Sequence, residues 1–272
     1  MPVRRRSWLF VAGADEAAHA AAARSGADVI ALELEDFTPP ELRPKARALA
    51  AQAFGAWRKA GAFAAVRVNP LETCGRDDLR VVMLARPDIV MMSKVVSADQ
   101  VRSLAELAPD AELVPNVETA AGLVNTFQIG KASPRVTALL VASEDMVADL
   151  GTARSRGGAE LAYVRARFLV ECRAAGVEAI DCPYTFSDAK GAAADARYAK
   201  SLGYRMKSLV DPSHARAINA VFTPNKPELA KARKIVSAFE KARAAGKDRV
   251  KVDGALIEVP VYAAAKRLLA DN

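Results

Sequence analysis

The sequence predicts an α/β fold, a (β/α)8 barrel of the TIM type with a C-terminal helical extension. Its 272 residues contain eight short apolar runs rich in β-forming residues, and stretches with helical periodicity separate them. Most of the runs are continuously apolar, which is typical of parallel strands buried on both faces. Eight strands that alternate with helices are the number that closes such a barrel.

The predicted elements follow one another at regular intervals. The strands are expected at residues 8–11, 29–34, 64–68, 89–95, 113–117, 136–142, 178–182 and 206–210. Helical periodicity is found, among other places, at residues 41–60, 100–108, 122–129, 160–175 and 188–202. A helix at 213–222, a long charged helix at 226–244, a polar linker at 245–254 and a tail at 255–272 complete the chain. We therefore expect a barrel over residues 1–224, and over residues 225–272 a C-terminal helix and tail that acts as a lid or subunit contact.

A doubly wound sheet is the main alternative, because it also alternates strands and helices. A dinucleotide-binding sheet of that kind carries G-x-G-x-x-G after its first strand, whereas this turn reads Gly13-Ala14-Asp15-Glu16. The strand count and the absent fingerprint favour the barrel.

The amino-acid composition argues against several classes of function. Lys and Arg number 39 against 32 acidic residues, a net charge of +7 that suits acidic substrates. No basic cluster is interleaved with stacking aromatics, which argues against nucleic acid. The apolar runs are far shorter than the roughly 20 residues of a membrane span, and the N-terminus lacks a secretory pattern, so we expect a soluble cytoplasmic protein. Three cysteines and two histidines offer little for a zinc site, so carboxylates binding Mg²⁺ or Mn²⁺ are the expected metal ligands.

Charged residues close several predicted strands, where a barrel has its active site. Glu118 and Asp145 close neighbouring strands, so their carboxylates can converge on one Mg²⁺. Arg67, two strands from Glu118, offers a planar fork for a carboxylate or an enolate oxygen. The alternative interpretation of each residue is an ion pair that stabilises the barrel mouth.

Several motifs occur in an order that matches a known family. Residues 6–13 read Arg-Ser-Trp-Leu-Phe-Val-Ala-Gly, and further matches are Leu32-Glu33-Leu34-Glu35-Asp36, Val66-Arg67-Val68-Asn69-Pro70, Glu118-Thr119-Ala120-Ala121-Gly122 and residues 144–151, 175–181 and 219–224. Together they resemble the citrate lyase β-subunit-like proteins of the HpcH/HpaI aldolase superfamily, relatives of the malyl-CoA lyases. The resemblance runs from residue 6 to about residue 262.

This resemblance implies a barrel that assembles as a homotrimer or hexamer. It implies that Glu118 and Asp145 ligate Mg²⁺, that Arg67 holds the reacting oxygens, and that Glu35 and Asp36 orient metal-bound water. Members typically make or break a carbon–carbon bond between a 2-oxo acid and an acyl-thioester enolate.

The resemblance also bears on coenzyme A and on the tail. Arg5, Arg6 and Lys45 are expected to lie toward the pyrophosphate of coenzyme A, with solvated surface as the alternative. Residues 254–261 resemble a family segment whose Asp is the acid/base, and Glu258 stands at that position. Glu258 is either that acid/base or a surface charge on a packing tail.

Other positions depart from the family pattern, and each lines or borders the expected pocket. Ser93 stands in place of Pro, Ser143 in place of Gly and Asp211 in place of His, while Pro115-Asn116 precedes the motif of strand five. For Asp211 we favour a helix-capping role.

The sequence therefore predicts a Mg²⁺-dependent carbon–carbon lyase that acts on a 3-hydroxyacyl-CoA-type thioester. Two alternatives stay open. One is an aldolase on free 2-oxo acids without CoA, and the other is a non-catalytic subunit that binds acyl-CoA.

Overall fold

Eight parallel strands close into a barrel in the computed structural model, which describes residues 5–270 of the chain. Each strand pairs with the next, and β8 pairs with β1 through Trp8 and Ser208. The predicted barrel is confirmed. The strands are β1 Ser7–Ala12, β2 Val29–Glu33, β3 Phe63–Val68, β4 Ile89–Met92, β5 Glu112–Val117, β6 Ala138–Val141, β7 Glu178–Asp181 and β8 Met206–Leu209.

Helices follow the strands on the outside of the barrel. They are α1 Glu16–Ala23, α2 Arg43–Lys59, α3 Gly75–Val82, α4 Ala98–Leu107, α5 Ala120–Val124, α6 Thr126–Lys131, α7 Glu144–Asp149, α8 Ala162–Ala175, α9 Ala189–Leu202 and α10 Ala215–Phe222. The helix expected at residues 122–129 is divided into α5 and α6. The Thr126 hydroxyl donates to the carbonyls of Gly122 and Leu123 and so competes with the helical hydrogen bonds at this point.

The core has two layers that meet at the strands. Inside the barrel lie Trp8, Val29, Ile89, Val114 and other apolar side chains of the strands' inner face. Outside it, a larger apolar layer packs the strands against the helices. Because side chains alternate along a strand, Glu33, Arg67 and Glu118 point inward above the apolar layer, at the carboxyl ends of their strands. We call this end of the barrel the mouth.

Residues Arg5–Phe222 form one compact unit, and the described residues from Thr223 onward form a second one. The second unit contains α11 Lys226–Ala244, β9 Val250–Val252, β10 Ala255–Ile257 and α12 Val259–Ala270. Phe239 of α11 stacks on Tyr262 of α12, with ring centroids 4.6 Å apart. The segment expected to be a plain linker thus contains a strand, which forms a hairpin with β10 through Asp253-Gly254. Both of these turn residues have positive φ, as a tight hairpin turn requires.

In the part of the chain that the structure describes, no helix has both the length and the apolar character needed to cross a membrane.

Candidate functional site

Glu33, the last residue of β2, organises the loop that follows it. Its carboxylate accepts hydrogen bonds from the backbone N–H groups of Glu35 and Phe37, at 2.7 and 2.6 Å. Its backbone carbonyl accepts from the Thr38 hydroxyl at 2.6 Å. Glu33 is fully buried, so these bonds form where water does not compete for them. The loop therefore presents Glu35 and Asp36 at the mouth in a fixed conformation.

Arg67 on β3 is the central cation of the site. Its Nε lies 2.9 Å from Glu33 Oε1, its Nη2 lies 3.2 Å from Glu35 Oε2, and its Nη1 lies 3.5 Å from Glu118 Oε1. Burial opposes the charge of the guanidinium, but Glu33 and Glu118 raise the pKa of Arg67, which stays charged. The contact of Nη1 with Glu118 is the longest of the three. Nη1 is therefore the nitrogen of Arg67 that can most easily turn toward a ligand.

Glu118 follows β5 and is fully buried at the mouth. Besides Arg67, it accepts a hydrogen bond from Asn116 Nδ2 at 3.3 Å and one from the backbone N–H of Lys94 at 3.2 Å. Gly122 lets α5 approach closely, because a Cβ there would lie 2.6 Å from the Val95 carbonyl oxygen. The segment after β4 is thereby packed against the start of the helix that follows Glu118.

Lys94 connects the remaining carboxylates. Its Nζ hydrogen-bonds Glu35, lies 3.6 Å from Asp36 Oδ1 and lies 3.9 Å from Asp145 Oδ1. Asp145 is in the first turn of α7, one-third exposed, rather than at a strand end as expected, because β6 ends at Val141. The structure therefore brings Arg67, Asp36, Glu118 and Asp145 of the predicted site together at one mouth.

Burial and charge shift the pKa values of this cluster. Burial raises the pKa of Glu118 to about 8, although Arg67 acts against the rise. Burial also raises the pKa of Glu35, with Arg67 and Lys94 again opposing it. Burial acts to lower the pKa of Lys94, but its hydrogen bond to Glu35 and the nearby carboxylates raise it to about 12. The raised pKa values favour the neutral forms of Glu118 and Glu35, whereas the ammonium of Lys94 stays charged.

The residues present fit a hard divalent cation. Five carboxyl groups outnumber the two cations, Arg67 and Lys94, with which they form ion pairs; they are Glu33, Glu35, Asp36, Glu118 and Asp145. Two buried acceptors at the mouth make no hydrogen bond within the described residues: Asn116 Oδ1, and Glu35 Oε2, which has only its ion pair with Arg67. No group of three His, Cys, Asp or Glu side chains within residues 5–270 is arranged to hold a metal. A two-carboxylate site completed by water and substrate oxygens is the arrangement that Mg²⁺ commonly adopts.

The three basic residues expected near coenzyme A lie in different places. Arg5 pairs with Glu112, the first residue of β5, and Arg6 pairs with Asp28, which precedes β2. Both arginines therefore lie at the amino ends of the strands, opposite the mouth of this barrel, and their contact with coenzyme A stays a prediction. Their position follows from chain direction, because residues that precede β1 must lie at the end where β1 begins. Lys45 is exposed in the first turn of α2, at the mouth end.

The structure also describes the two remaining predicted positions, Glu258 and Asp211. Glu258 is exposed in the second unit, where its backbone carbonyl accepts from the N–H groups of Val261 and Tyr262 at the start of α12. Asp211 accepts from the backbone N–H of Ser213 at 2.9 Å, which confirms the capping role favoured from the sequence.

Three residues of the site received no role from the sequence: Glu33, Lys94 and Asn116. Side chains alternate between the inner and outer faces of β2 and β5, and this pattern could have identified Glu33 and Asn116. Each is two residues from another inward-facing position. Lys94 had no such signal, because its position depends on a backbone turn after β4.

A closed parallel barrel with carboxylates and an arginine at the carboxyl ends of its strands has the architecture of a barrel enzyme. Comparison with known proteins makes this more specific. The HpcH/HpaI aldolase/citrate lyase family model matches residues 6–212. The chain belongs to this family, as its motifs indicated.

Individual relatives match over most or all of the chain. A citrate lyase subunit beta from Leuconostoc mesenteroides subsp. cremoris is 30% identical, covering 97% of this chain and 92% of that protein. A (3S)-malyl-CoA thioesterase from Cereibacter sphaeroides is 31% identical, covering 97% and 93%. The protein CitE from Mycobacterium tuberculosis, in complex with magnesium, acetoacetate and coenzyme A, has a TM-score of 0.81 and 27% identity, covering 100% of this chain and 99% of that one. A second structure from that organism, a citrate lyase beta subunit complexed with oxaloacetate and magnesium, has a TM-score of 0.69 and 29% identity, covering 82% and 98%.

Proposed function

We propose that this protein is a Mg²⁺-dependent carbon–carbon lyase that cleaves, or forms, a 3-hydroxyacyl-CoA-type thioester. The products of cleavage are a 2-oxo acid or glyoxylate and an acyl-thioester. The observation that carries the proposal is the meeting of Glu118, Asp145 and Arg67 at one mouth, in a cluster with more carboxylates than cations. One relative of known structure binds magnesium with acetoacetate and coenzyme A, another binds magnesium with oxaloacetate, and both support the same chemistry.

Each residue of the cluster has its own role in the proposed reaction. Glu118 and Asp145 would hold the Mg²⁺, which when bound supplies Lewis-acid polarisation of the oxo-acid oxygens. Arg67 would turn Nη1 from Glu118 to the reacting oxygen, while Glu33 keeps hold of its Nε. Glu35 and Asp36 would accept hydrogen bonds from water at the site, for which Glu35 Oε2 has capacity.

The cleavage itself balances without an oxidant or reductant. The 3-hydroxyl group loses its proton to a base, and the carbon–carbon bond breaks as the carbonyl of the oxo acid forms. The electron pair of that bond enters the thioester as an enolate, which then takes up a proton to give the acyl-thioester. We propose that the carboxyl group of Glu258 transfers the proton.

The test is turnover of malyl-, citramalyl- and citryl-CoA by the full chain, with Mg²⁺ and with EDTA, measuring both oxo acid and free thiol. We expect oxo acid release that requires Mg²⁺ and disappears in Glu118→Gln. The matched control is Glu112→Gln, at the opposite end of the same strand, which is expected to keep its activity.

Other results of this turnover assay would identify a different function. Free thiol without oxo acid would identify thioester hydrolysis, as the name of the Cereibacter relative describes for that protein. Release of oxo acid from free hydroxy-acid substrates alone would identify an aldolase that does not use CoA. Binding of acyl-CoA by folded protein without any turnover would identify a non-catalytic subunit.

A further inference from the structure

Lys94 contacts both candidate metal ligands at once. Its backbone N–H donates to Glu118 Oε2 at 3.2 Å, and its Nζ lies 3.9 Å from Asp145 Oδ1. The same ammonium also pairs with Glu35 and Asp36. One residue therefore joins the two carboxylates proposed to hold the cation, and its positive charge is shared by three carboxylates.

The backbone at Lys94 is unusual in a way that this contact explains. Its φ is 54°, in the left-handed region that residues other than glycine rarely adopt. Two other such residues, Arg86 and Asp253, lie in tight turns, at the end of a 3-10 helix and in the β9–β10 hairpin. At Lys94 the left-handed conformation accompanies an N–H that reaches Glu118 and a side chain that reaches the other carboxylates. Strained backbone of this kind is found where surrounding contacts determine it, often at functional sites.

The two cations of the cluster differ in how firmly they are held. The Arg67 side chain is 9% exposed and its Nε is bound to buried Glu33. The Lys94 side chain is 41% exposed and ends in a single ammonium on a flexible stem. If a divalent cation enters the cluster, Lys94 can move into solvent, whereas Arg67 cannot.

We propose that Lys94 is a positioning residue whose ammonium is the internal counter-ion of the carboxylate cluster, and that a divalent cation displaces it from Asp145. This inference rests on the proposed function, since the cation is the one assigned to Glu118 and Asp145. The Lys94 N–H holds Glu118 in place throughout. Its side chain keeps Glu35, Asp36 and Asp145 together until the divalent cation binds.

The experiment measures Mn²⁺ binding by electron paramagnetic resonance and Mg²⁺ binding by calorimetry in the wild-type protein, Lys94→Met and Lys94→Arg. Removing a unit charge about 4 Å from a carboxylate ligand should tighten cation binding by about 5- to 10-fold in Lys94→Met. Lys94→Arg keeps the charge and should bind within about twofold of wild type. Lys59→Met removes the same charge from the last turn of α2, at the other end of the barrel, and should change nothing.

A second readout is thermal unfolding. The metal-free Lys94→Met protein should melt at a lower temperature than wild type, because the carboxylates lose their counter-ion, and Mg²⁺ should raise its melting temperature by a larger increment. Equal or weaker cation binding by folded Lys94→Met overturns the inference and leaves the proposed function standing. Absence of cation binding in wild type overturns both.

Discussion

Glu33 and Arg67 are cross-strand partners on β2 and β3, and Glu33 Oε1 lies 2.9 Å from Arg67 Nε. The same carboxylate accepts the backbone N–H groups of Glu35 and Phe37. One buried side chain thus fixes both the direction of the arginine and the loop that carries the neighbouring carboxylates. Glu33 therefore shapes the site although the sequence assigned it no role there.

Glu33→Gln should reduce both stability and activity. The variant keeps one acceptor oxygen, but its amide NH₂ faces N–H donors that the carboxylate had satisfied. We expect a loss of about 2–3 kcal/mol in the free energy of unfolding, measured with urea, because buried donors are left unpaired. We also expect a fall in kcat of about 10- to 100-fold. Glu106→Gln, exposed on α4, is the control, and an unchanged kcat in Glu33→Gln would contradict the role given to Glu33.

Asn116→Leu should separate stability from metal binding. Asn116 Nδ2 donates to Glu118, while Asn116 Oδ1 is buried without a hydrogen-bond partner in the described structure. Leucine is nearly isosteric and removes the unsatisfied oxygen, so the melting temperature should stay within a few degrees of wild type or rise. Glu118 loses a donor that orients it, so Mg²⁺ affinity should fall about tenfold or more. Calorimetry with unchanged Mg²⁺ affinity would show that Asn116 does not orient Glu118.

The meeting of Arg67 and Glu118 was predictable because parallel strands end at the same edge of a barrel. The inward orientation of both side chains follows from the two-residue period of a strand, and the family motifs mark the same positions. The placement of Arg5 and Arg6 follows from this logic too. A residue before the first strand lies at the amino end of the barrel, so neither arginine lies at the mouth.

Other features depend on tertiary contacts that no local pattern encodes. Lys94 reaches the carboxylates through a left-handed backbone conformation, which a lysine in the sequence does not announce. The break between α5 and α6 depends on where the Thr126 hydroxyl donates. The hairpin at Asp253-Gly254 did have a local signal, since this dipeptide is typical of tight β-turns.

The free energy of unfolding should fall at acid pH, because a buried ion cluster away from the mouth contributes to it only while its carboxylates are ionised. Arg165 and Lys207 both pair with Asp181 and Asp195, between β7–β8 and α8–α9. Burial acts to raise the pKa of Asp195, but Lys207 and Arg165 hold it below its ordinary value. A carboxylate with a lowered folded-state pKa stabilises the protein above its unfolded pKa of about 3.9 and loses that contribution as the pH falls further.

Asp195→Asn should therefore cost about 3 kcal/mol in the free energy of unfolding at pH 7, since it leaves buried cations incompletely paired. The same difference is expected at pH 5. At pH 3 it should be smaller, because the unfolded wild-type chain then binds a proton at Asp195 that the folded chain, with its lowered pKa, does not. Urea titrations at the three pH values measure this, with exposed Asp110→Asn as the control. A difference that does not change between pH 7 and pH 3 would rule out this linkage.

Glu258→Gln tests whether the second unit supplies the acid/base. Its carboxylate is exposed and its backbone carbonyl, which the substitution keeps, accepts the first N–H groups of α12. The melting temperature and the Mg²⁺ affinity should therefore match wild type. We expect kcat to fall about 100-fold, the size of a general acid–base contribution, with KM nearly unchanged. Glu258→Asp, which restores the residue of the resembling segment, should retain most of the activity, and Asp248→Asn, an exposed carboxylate of the same unit, should retain all of it. If kcat in Glu258→Gln equals that of wild type, Glu258 is a surface charge, and the proton must be transferred by a carboxyl group of the mouth.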